Sequence, residues 1–180
     1  MFKKVITDPC IKADLESYQV EGYASVSEVV DRAGDIVKKG AFTKTIKERG
    51  SVPVLWQHDT NTPIGRTRIL KEDDKGLFFK ANLVKGIKKA DEAMLLMSSG
   101  VINAMSIGFT LKEYEVIGDA KKGLSISEID LSEISIVTLP ANEYTNVNLK
   151  DLVYNEDLNN LITTIKTEVL DVIKKGLSKQ

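Results

Sequence analysis

Residues 124–139 of the chain read LSISEIDLSEISIVTL, a run in which apolar residues recur at the spacing of β-strands. We predict two strands here, at residues 124–131 and 131–139. Pro140 ends the second strand, because proline has no N–H to donate to a strand ladder. Residues 131–137 are apolar on both faces, which is typical of a strand buried within a sheet.

Further strands and two helices are predicted before this run. Alternating side chains or compact apolar runs predict strands at residues 2–7, 18–25, 52–56, 64–71, 76–84 and 103–110. The segments 64–71 and 76–84 form a hairpin around the turn EDDKG. Helical spacing predicts helices at residues 43–50 and 88–99, and a glycine stands at or just after each end. The fold class is therefore α+β, mainly β.

Residues 151–180 differ in kind from the rest, so we assign one domain to residues 1–150 and a C-terminal amphipathic helix to residues 151–180. The helix is indicated by an i, i+3, i+4, i+7 stripe made of Leu158, Leu161, Ile162, Ile165, Val169, Val172 and Ile173. The stripe packs either onto the domain or onto a second copy, which would make a homo-oligomer. The alternative is a docking element for a larger assembly.

Composition excludes several classes of function. Lysine and arginine total 25 against 26 acidic residues, so we expect no nucleic-acid partner. Cys10 is the only cysteine, which excludes an intrachain disulfide and a cysteine-cluster metal site. The first residues are broken by charge and by Pro9, unlike a signal peptide, and no window reaches membrane-spanning length. We expect a cytosolic protein that does not bind membranes.

The only histidine, His58, follows an apolar strand at the point where a loop begins. A rigid strand can aim a side chain that the loop leaves accessible, so this position suits a reactive group. The alternative is an ordinary surface or core histidine. A zinc site is not predicted, because zinc normally takes at least two nitrogen or sulfur ligands.

Ser106 lies in residues 103–109, which read NAMSIGF. In a strand, Met105, Ile107 and Phe109 point to one face, while Ala104, Ser106 and Gly108 point to the other. The small face leaves open space over the serine hydroxyl, where an extended substrate could approach. The alternative is a structural serine between apolar neighbours.

Glu133 lies within the strand that is apolar on both faces, where an unpaired charge is expensive. A histidine hydrogen-bonded to it would gain a fixed tautomer, as in a catalytic triad. Spacing alone does not distinguish this from an ion pair with Arg66, Arg68 or a lysine. Two further carboxylates flank Gly34, and we assign them to turn formation and capping, although either could replace Glu133 as the acid: Asp31 and Asp35.

Taken in order, these segments resemble the prohead maturation protease family of tailed bacteriophages, which is distantly similar to the herpesvirus assembly proteases. The resemblance covers roughly residues 18–148. The matching motifs are VEGYAS (20–25), DRAGDIV (31–37), GAF (40–42), VLWQHD (54–59), PIG (63–65), GL (76–77), MSIGF (105–109), LSEISIV (131–137) and PAN (140–142).

The resemblance implies a closed or nearly closed antiparallel β-barrel flanked by helices, as in the herpesvirus proteases. It places the family's serine nucleophile on Ser106 and its histidine base on His58. The viral relatives use a second histidine as the third member, and this chain has none, so an acid must replace it, with Glu133 as the candidate. By analogy, the turn after Pro140 supplies oxyanion donors from the backbone of Ala141 or Asn142.

The activity implied is that of a serine endopeptidase without metal or organic cofactor. Its substrates would be the scaffold portion of the capsid protein or a separate scaffold protein, and the protease itself. It would act inside the assembling prohead, in the cytoplasm of the bacterial host. Residues 151–180 would be a self-removed tail or a scaffold-binding helix. Two alternatives stay open: a non-proteolytic serine hydrolase, although the G-x-S-x-G elbow is absent, and an inactive assembly or scaffold protein with this fold.

Overall fold

The computed structural model describes residues 11–118 and 123–145. The strand predicted at residues 2–7, the amphipathic helix predicted within residues 151–180 and the domain boundary at residue 150 lie outside the described residues. No helix in the described part of the chain is both long enough and apolar enough to cross a membrane.

Eight strands dominate the described residues, with two helices and a short 3₁₀ turn. The strands are β1 Ile11–Asp14, β2 Gln19–Val26, β3 Ile36–Val37, β4 Pro53–Trp56, β5 Asp59–Glu72, β6 Gly76–Leu83, β7 Ala104–Val116 and β8 Leu124–Val137. The helices are α1 Thr43–Arg49 and α2 Lys88–Ser98, and the 3₁₀ turn is Glu143–Thr145. The mainly β, α+β prediction is confirmed. The predicted helices and strands that fall on described residues are confirmed as well, except that β5 and β7 are longer than expected and the last two predicted strands form a single strand.

The strands form one sheet in the order β1-β2-β6-β5-β4-β8-β3, and β7 pairs with the other edge of β8. Most pairs are antiparallel, but β8 runs parallel to both β3 and β4. The antiparallel prediction is wrong at these two pairs. Parallel pairing needs a long crossover, and the chain from β4 to β8 supplies one that contains α2. The described strands form an open sheet, and closure into a barrel stays a prediction.

The two strands predicted at residues 124–131 and 131–139 are one continuous strand, β8, which pairs with β7 along its whole length. The ladder contains a β-bulge. Gly108 pairs with Glu133, whereas the next residue of β7, Phe109, pairs with Leu131, so Ser132 is an extra residue in β8. The bulge turns Leu131 to the core face together with Ile134, and it leaves Glu133 on the opposite face.

The core lies on the face of β8 that carries Leu131, Ile134 and Ile136, each of which is fully buried. Phe79 of β6 and Met94 of α2 belong to the same cluster. Burying a side chain of this size stabilises the fold by about 1.5–3 kcal/mol. This packing holds β8 rigidly in the sheet, with one of its faces left for polar groups.

Helix α1 lies along β8, between the places where β3 and β4 pair with it. The Thr45 hydroxyl donates to the Ile129 carbonyl at 2.9 Å and accepts from the Leu131 N–H at 3.1 Å. Before the helix, the Glu72 carboxylate accepts hydrogen bonds from the Gly40 and Phe42 N–H groups, where no side chain of α1 provides a cap. After the helix, Gly50 is left-handed with φ of 66°, as expected for a C-terminal glycine.

Candidate active site

His58 lies in a two-residue turn that joins β4 to β5. Trp56 pairs with Asp59, and the residues between them, Gln57 and His58, have φ values of 54° and 60°. A tight hairpin turn favours positive φ at both positions, which is why Asn-Gly is its usual sequence. Residues other than glycine hold such a conformation at a cost of about 1–3 kcal/mol each, and only where the surroundings impose it.

The surroundings that impose this turn come from the end of β8. The Gln57 N–H donates to the Ile136 carbonyl at 3.0 Å, and the Gln57 side-chain amide donates to the Thr138 hydroxyl at 2.8 Å. The His58 N–H donates to the Ser135 hydroxyl at 3.1 Å. The turn is therefore fastened to β8, and the position of the imidazole is fixed relative to that strand.

The imidazole of His58 contacts the Glu133 carboxylate, with 2.6 Å between Nδ1 and Oε1. The other carboxylate oxygen, Oε2, accepts a hydrogen bond from the Ser135 hydroxyl at 2.7 Å. Because a carboxylate only accepts, Nδ1 carries the proton, and in the neutral imidazole Nε2 then has the lone pair. The Glu133 side chain is only 9% exposed, whereas the His58 side chain is 43% exposed, so the imidazole remains accessible.

The other predicted partners of Glu133 and His58 lie elsewhere. Arg66 donates to the hydroxyl of Ser51 rather than to Glu133. Asp31 accepts from the N–H groups of two residues of its own turn, as the turn interpretation predicts, and Asp35 accepts from the N–H of Leu124 at the start of β8. The structure thus brings His58 to Glu133, and it uses the two aspartates to shape a loop.

Gly108 makes room for the Glu133 carboxylate. It faces Glu133 across the β7–β8 ladder, and a Cβ at position 108 would lie 2.9 Å from the Glu133 Cδ and still closer to Oε1. Ordinary contact begins at about 3.4 Å. A glycine at position 108 therefore leaves the space that the Glu133 carboxylate occupies when it contacts His58.

Ser106 faces Ser135 across the same ladder, two residues from Gly108, on the face that carries Glu133. It is 8% exposed, and its hydroxyl makes no hydrogen bond to any described residue, including His58. Directly opposed residues in an antiparallel pair have Cβ atoms about 4.5–5.5 Å apart, so Ser106 lies close to Ser135, the residue that bonds both Glu133 and the His58 N–H. The predicted faces of this strand are confirmed, since Met105, Ile107 and Phe109 pack against the core.

A small cavity of about 50 Å³ borders Ser106. Its wall includes Ala141 and Asn142, the two residues predicted to supply oxyanion donors, together with Asp31 and Asp35. Neither backbone N–H of Ala141 or Asn142 donates to another residue within 11–118 and 123–145. The Asn142 side chain donates to the Val26 carbonyl at 2.9 Å, which ties this turn to β2.

Metal ligands do not gather at this site. Within the described ranges there is no group of three or more His, Cys, Asp and Glu residues that could hold a metal ion. The nearest acid in sequence to His58 is Asp59, which is engaged in its own turn. The Thr62 hydroxyl, and after it the Asn61 N–H, hold the pKa of Asp59 below its usual value.

Sequence reasoning missed three residues that shape this site: Ser135, Gly108 and Gln57. Gly108 had a signal, because it lies on the small face with Ser106. Ser135 had a weaker one, its spacing of two residues from Glu133, which places both on one face of a strand. Gln57 had none, since glutamine is not a residue that predicts a tight turn.

The chain matches a family described as caudovirus prohead serine protease over residues 8–170. It is 34% identical over 131 residues to the prohead protease of Enterobacteria phage HK97, covering 71% of this chain and 57% of that protein. It is 35% identical over 147 residues to the capsid polyprotein of Pseudomonas phage PAJU2, covering 77% of this chain and 21% of that protein. The chain thus spans only part of the length of both relatives.

Solved structures resemble the fold. The capsid assembly protease of bacteriophage T4 superposes with a TM-score of 0.51 at 14% identity, covering 69% of this chain and 88% of that one. The varicella-zoster virus protease has a TM-score of 0.46 at 13% identity, covering 72% of this chain and 62% of that one. At 14% identity, the T4 structure supports the fold of this chain and nothing further.

Proposed function

Because the chain belongs to the caudovirus prohead serine protease family, we propose that it is a serine endopeptidase of phage head assembly. Ser106 is the proposed nucleophile, His58 the general base and Glu133 the acid that orients the imidazole. The observation that carries this proposal is the 2.6 Å contact between His58 Nδ1 and Glu133 Oε1. In the neutral imidazole this contact directs the proton to Nδ1, so that Nε2 has the lone pair that a general base needs.

The proposed reaction follows from this arrangement. As the Ser106 hydroxyl attacks the peptide carbonyl, its proton passes to Nε2 of His58, and the positive imidazolium is stabilised by Glu133. The same proton goes to the leaving amine, and an acyl-enzyme remains on Ser106. A water molecule, deprotonated by His58, then releases the second product. Because the Ser106 hydroxyl has no hydrogen-bond partner in the described structure, nothing competes for it, and catalytic hydrogen bonds often tighten only with substrate bound.

We further propose that the turn after β8 stabilises the oxyanion, through the backbone N–H of Ala141 or Asn142. Both residues line the cavity that Ser106 borders, and both N–H groups lack an acceptor among the described residues. A fixed N–H without another acceptor can stabilise the negative charge that develops on the carbonyl oxygen in the transition state. Removing one such donor lowers kcat by about 100- to 1000-fold.

The proposed substrates are the scaffold segment of the capsid protein or a separate scaffold protein, and the protease itself. The names of the relatives, prohead protease and capsid polyprotein, support a capsid-related substrate. Cleavage would take place within the assembling prohead in the host bacterium. A homo-oligomer through residues 151–180 stays a prediction, which light scattering with and without those residues would test.

The test is intact-protein mass spectrometry after co-expression with the cognate capsid protein. Four proteins are compared: wild type, Ser106→Ala, His58→Ala, and Ser127→Ala, an exposed serine of β8 that serves as the matched control. We expect new capsid fragments with wild type and the control only. Equal cleavage by all four would refute the catalytic assignments. Absence of any cleavage would favour the inactive assembly protein, and cleavage of small esters without peptides would favour a non-proteolytic hydrolase.

A further inference from the structure

We propose that Ser135 is a positioning residue. Its single hydroxyl holds the proposed base, His58, and the proposed acid, Glu133, in fixed positions relative to each other. This inference rests on the proposed roles of His58 and Glu133. Ser135 is fully buried, so it cannot touch a substrate. Its hydroxyl contacts both partners: it donates to Glu133 Oε2 at 2.7 Å and accepts from the His58 N–H at 3.1 Å.

The direction of these two hydrogen bonds is determined by chemistry. A hydroxyl has one proton and two lone pairs. The carboxylate of Glu133 can only accept, so it takes the proton, and a lone pair is left for the His58 N–H. Ser135 therefore links an acceptor on its own strand, the Glu133 carboxylate, to a donor in the β4–β5 turn, the His58 N–H.

The bond to Glu133 fixes the direction of the carboxylate. Glutamate has three rotatable side-chain bonds, and the last of them is soft. With Oε2 held by Ser135, rotation about that last bond is blocked, and Oε1 stays directed at His58 Nδ1. Without this anchor, the 2.6 Å contact would have to hold the carboxylate alone.

The bond to the His58 N–H acts on the strained turn. His58 keeps a φ of 60°, which is unfavourable for a residue other than glycine. Its N–H is held by the Ser135 hydroxyl, on the strand that also carries Glu133. The Ser135 side chain thus fixes both the backbone of His58 and the carboxylate of Glu133.

Ser135→Ala removes both contacts without adding volume. We expect kcat on a peptide substrate to fall by about 10- to 100-fold, because displacements near 1 Å in a catalytic group cost about 100-fold. KM should change by less than about twofold, because Ser135 is buried beneath the site and does not contact the bound substrate. Ser135→Cys is slightly larger than serine but keeps a weak donor, so its kcat should fall between those of wild type and Ser135→Ala.

The deciding measurement is the NMR signal of the proton on His58 Nδ1. His58 is the only histidine, so labelling histidine with ¹⁵N reports one imidazole without assignment by mutation. A proton held in a short bond to a carboxylate resonates far downfield. We expect this signal in wild type and in the control Ser132→Ala, an exposed serine of the same strand, and we expect it to move upfield or broaden in Ser135→Ala.

The proposal is overturned if folded Ser135→Ala keeps the wild-type signal, or if wild type shows no downfield proton. Thermal unfolding of each variant identifies a loss of fold, and in that case Ser135→Cys decides by the same signal. The NMR readout does not need activity. If the signal responds as expected but wild type cleaves nothing, then the positioning role stands and the proposed function fails.

Discussion

Replacing Gly108 by alanine tests whether the proposed site depends on the placement of the Glu133 carboxylate. Gly108 lies in ordinary strand geometry, so alanine introduces no backbone strain. Its Cβ would lie 2.9 Å from Glu133 Cδ, about half an ångström inside ordinary contact, and closer still to Oε1. The carboxylate must therefore withdraw by roughly 1 Å, which breaks the 2.6 Å contact with His58 Nδ1.

The expected magnitudes follow from that displacement. A buried carboxylate that loses its hydrogen bonds costs about 1–3 kcal/mol of folding stability. A displacement of about 1 Å in the catalytic machinery lowers kcat/KM by about 100-fold, which corresponds to about 2.7 kcal/mol in the transition state. We would measure urea unfolding and peptide cleavage on the same preparations.

A double-mutant cycle with Glu133→Ala provides the control. Glu133→Ala removes the three atoms nearest to a Cβ at position 108, so in that background Gly108→Ala should cost little further in stability or rate. The coupling energy should therefore be about 1–3 kcal/mol. If Gly108→Ala costs the same in both backgrounds, or if it is as active as wild type, then the placement of the Glu133 carboxylate does not depend on Gly108.

Three further predictions concern stability, each measured by urea unfolding. Ser27→Ala should leave stability unchanged or raise it, since the buried Ser27 hydroxyl has no partner among the described residues; a loss above about 1 kcal/mol would contradict this. Glu72→Ala should cost about 1–2 kcal/mol, because it removes the cap of α1, and Glu72→Gln should cost less. Thr62→Val should lose stability at neutral pH only. The Thr62 hydroxyl lowers the pKa of Asp59, so its contribution is present above about pH 4 and is lost as the pH falls through the folded-state pKa. The difference from wild type should shrink as the pH falls below about 4, and a constant difference would argue against the mechanism.

Much of the secondary structure could be predicted because it is written in local patterns. The alternation in residues 18–25 and the turn residues at 72–76 specify β2 and the β5–β6 hairpin directly. His58 and Ser106 could be singled out for the same reason. His58 follows the apolar strand β4, and Ser106 lies on the face of β7 that carries small residues. These features need no knowledge of distant parts of the chain.

The bulge at Ser132 could not be predicted, because the run from Leu131 to Ile134 is compatible with two registers. A strict period of two would put Leu131 and Glu133 on one face, and only the packing of Leu131 into the core decides otherwise. The same run therefore looked like two strands, apolar on both faces.

The parallel pairing of β4 with β8 also lies outside local patterns. Val54 pairs with Ile134, and nothing near either residue names its partner. The Gln57-His58 turn gave no signal either, since its left-handed conformation is imposed by hydrogen bonds from β8 rather than by its own sequence. In each case the conformation depends on a residue far along the chain, and local sequence does not identify that residue.

The pairing of β4 with β8 has a consequence for the order of events in folding. His58 and Glu133 are 75 positions apart along the chain, so a large loop must close before they meet. Contacts of such high contact order carry an entropic cost that grows with loop length, and they tend to form late. A growing or half-folded chain therefore has a histidine without its acid. The proposed protease becomes competent only when β8 has inserted between β4 and β7, and its own folding delays the first cleavage.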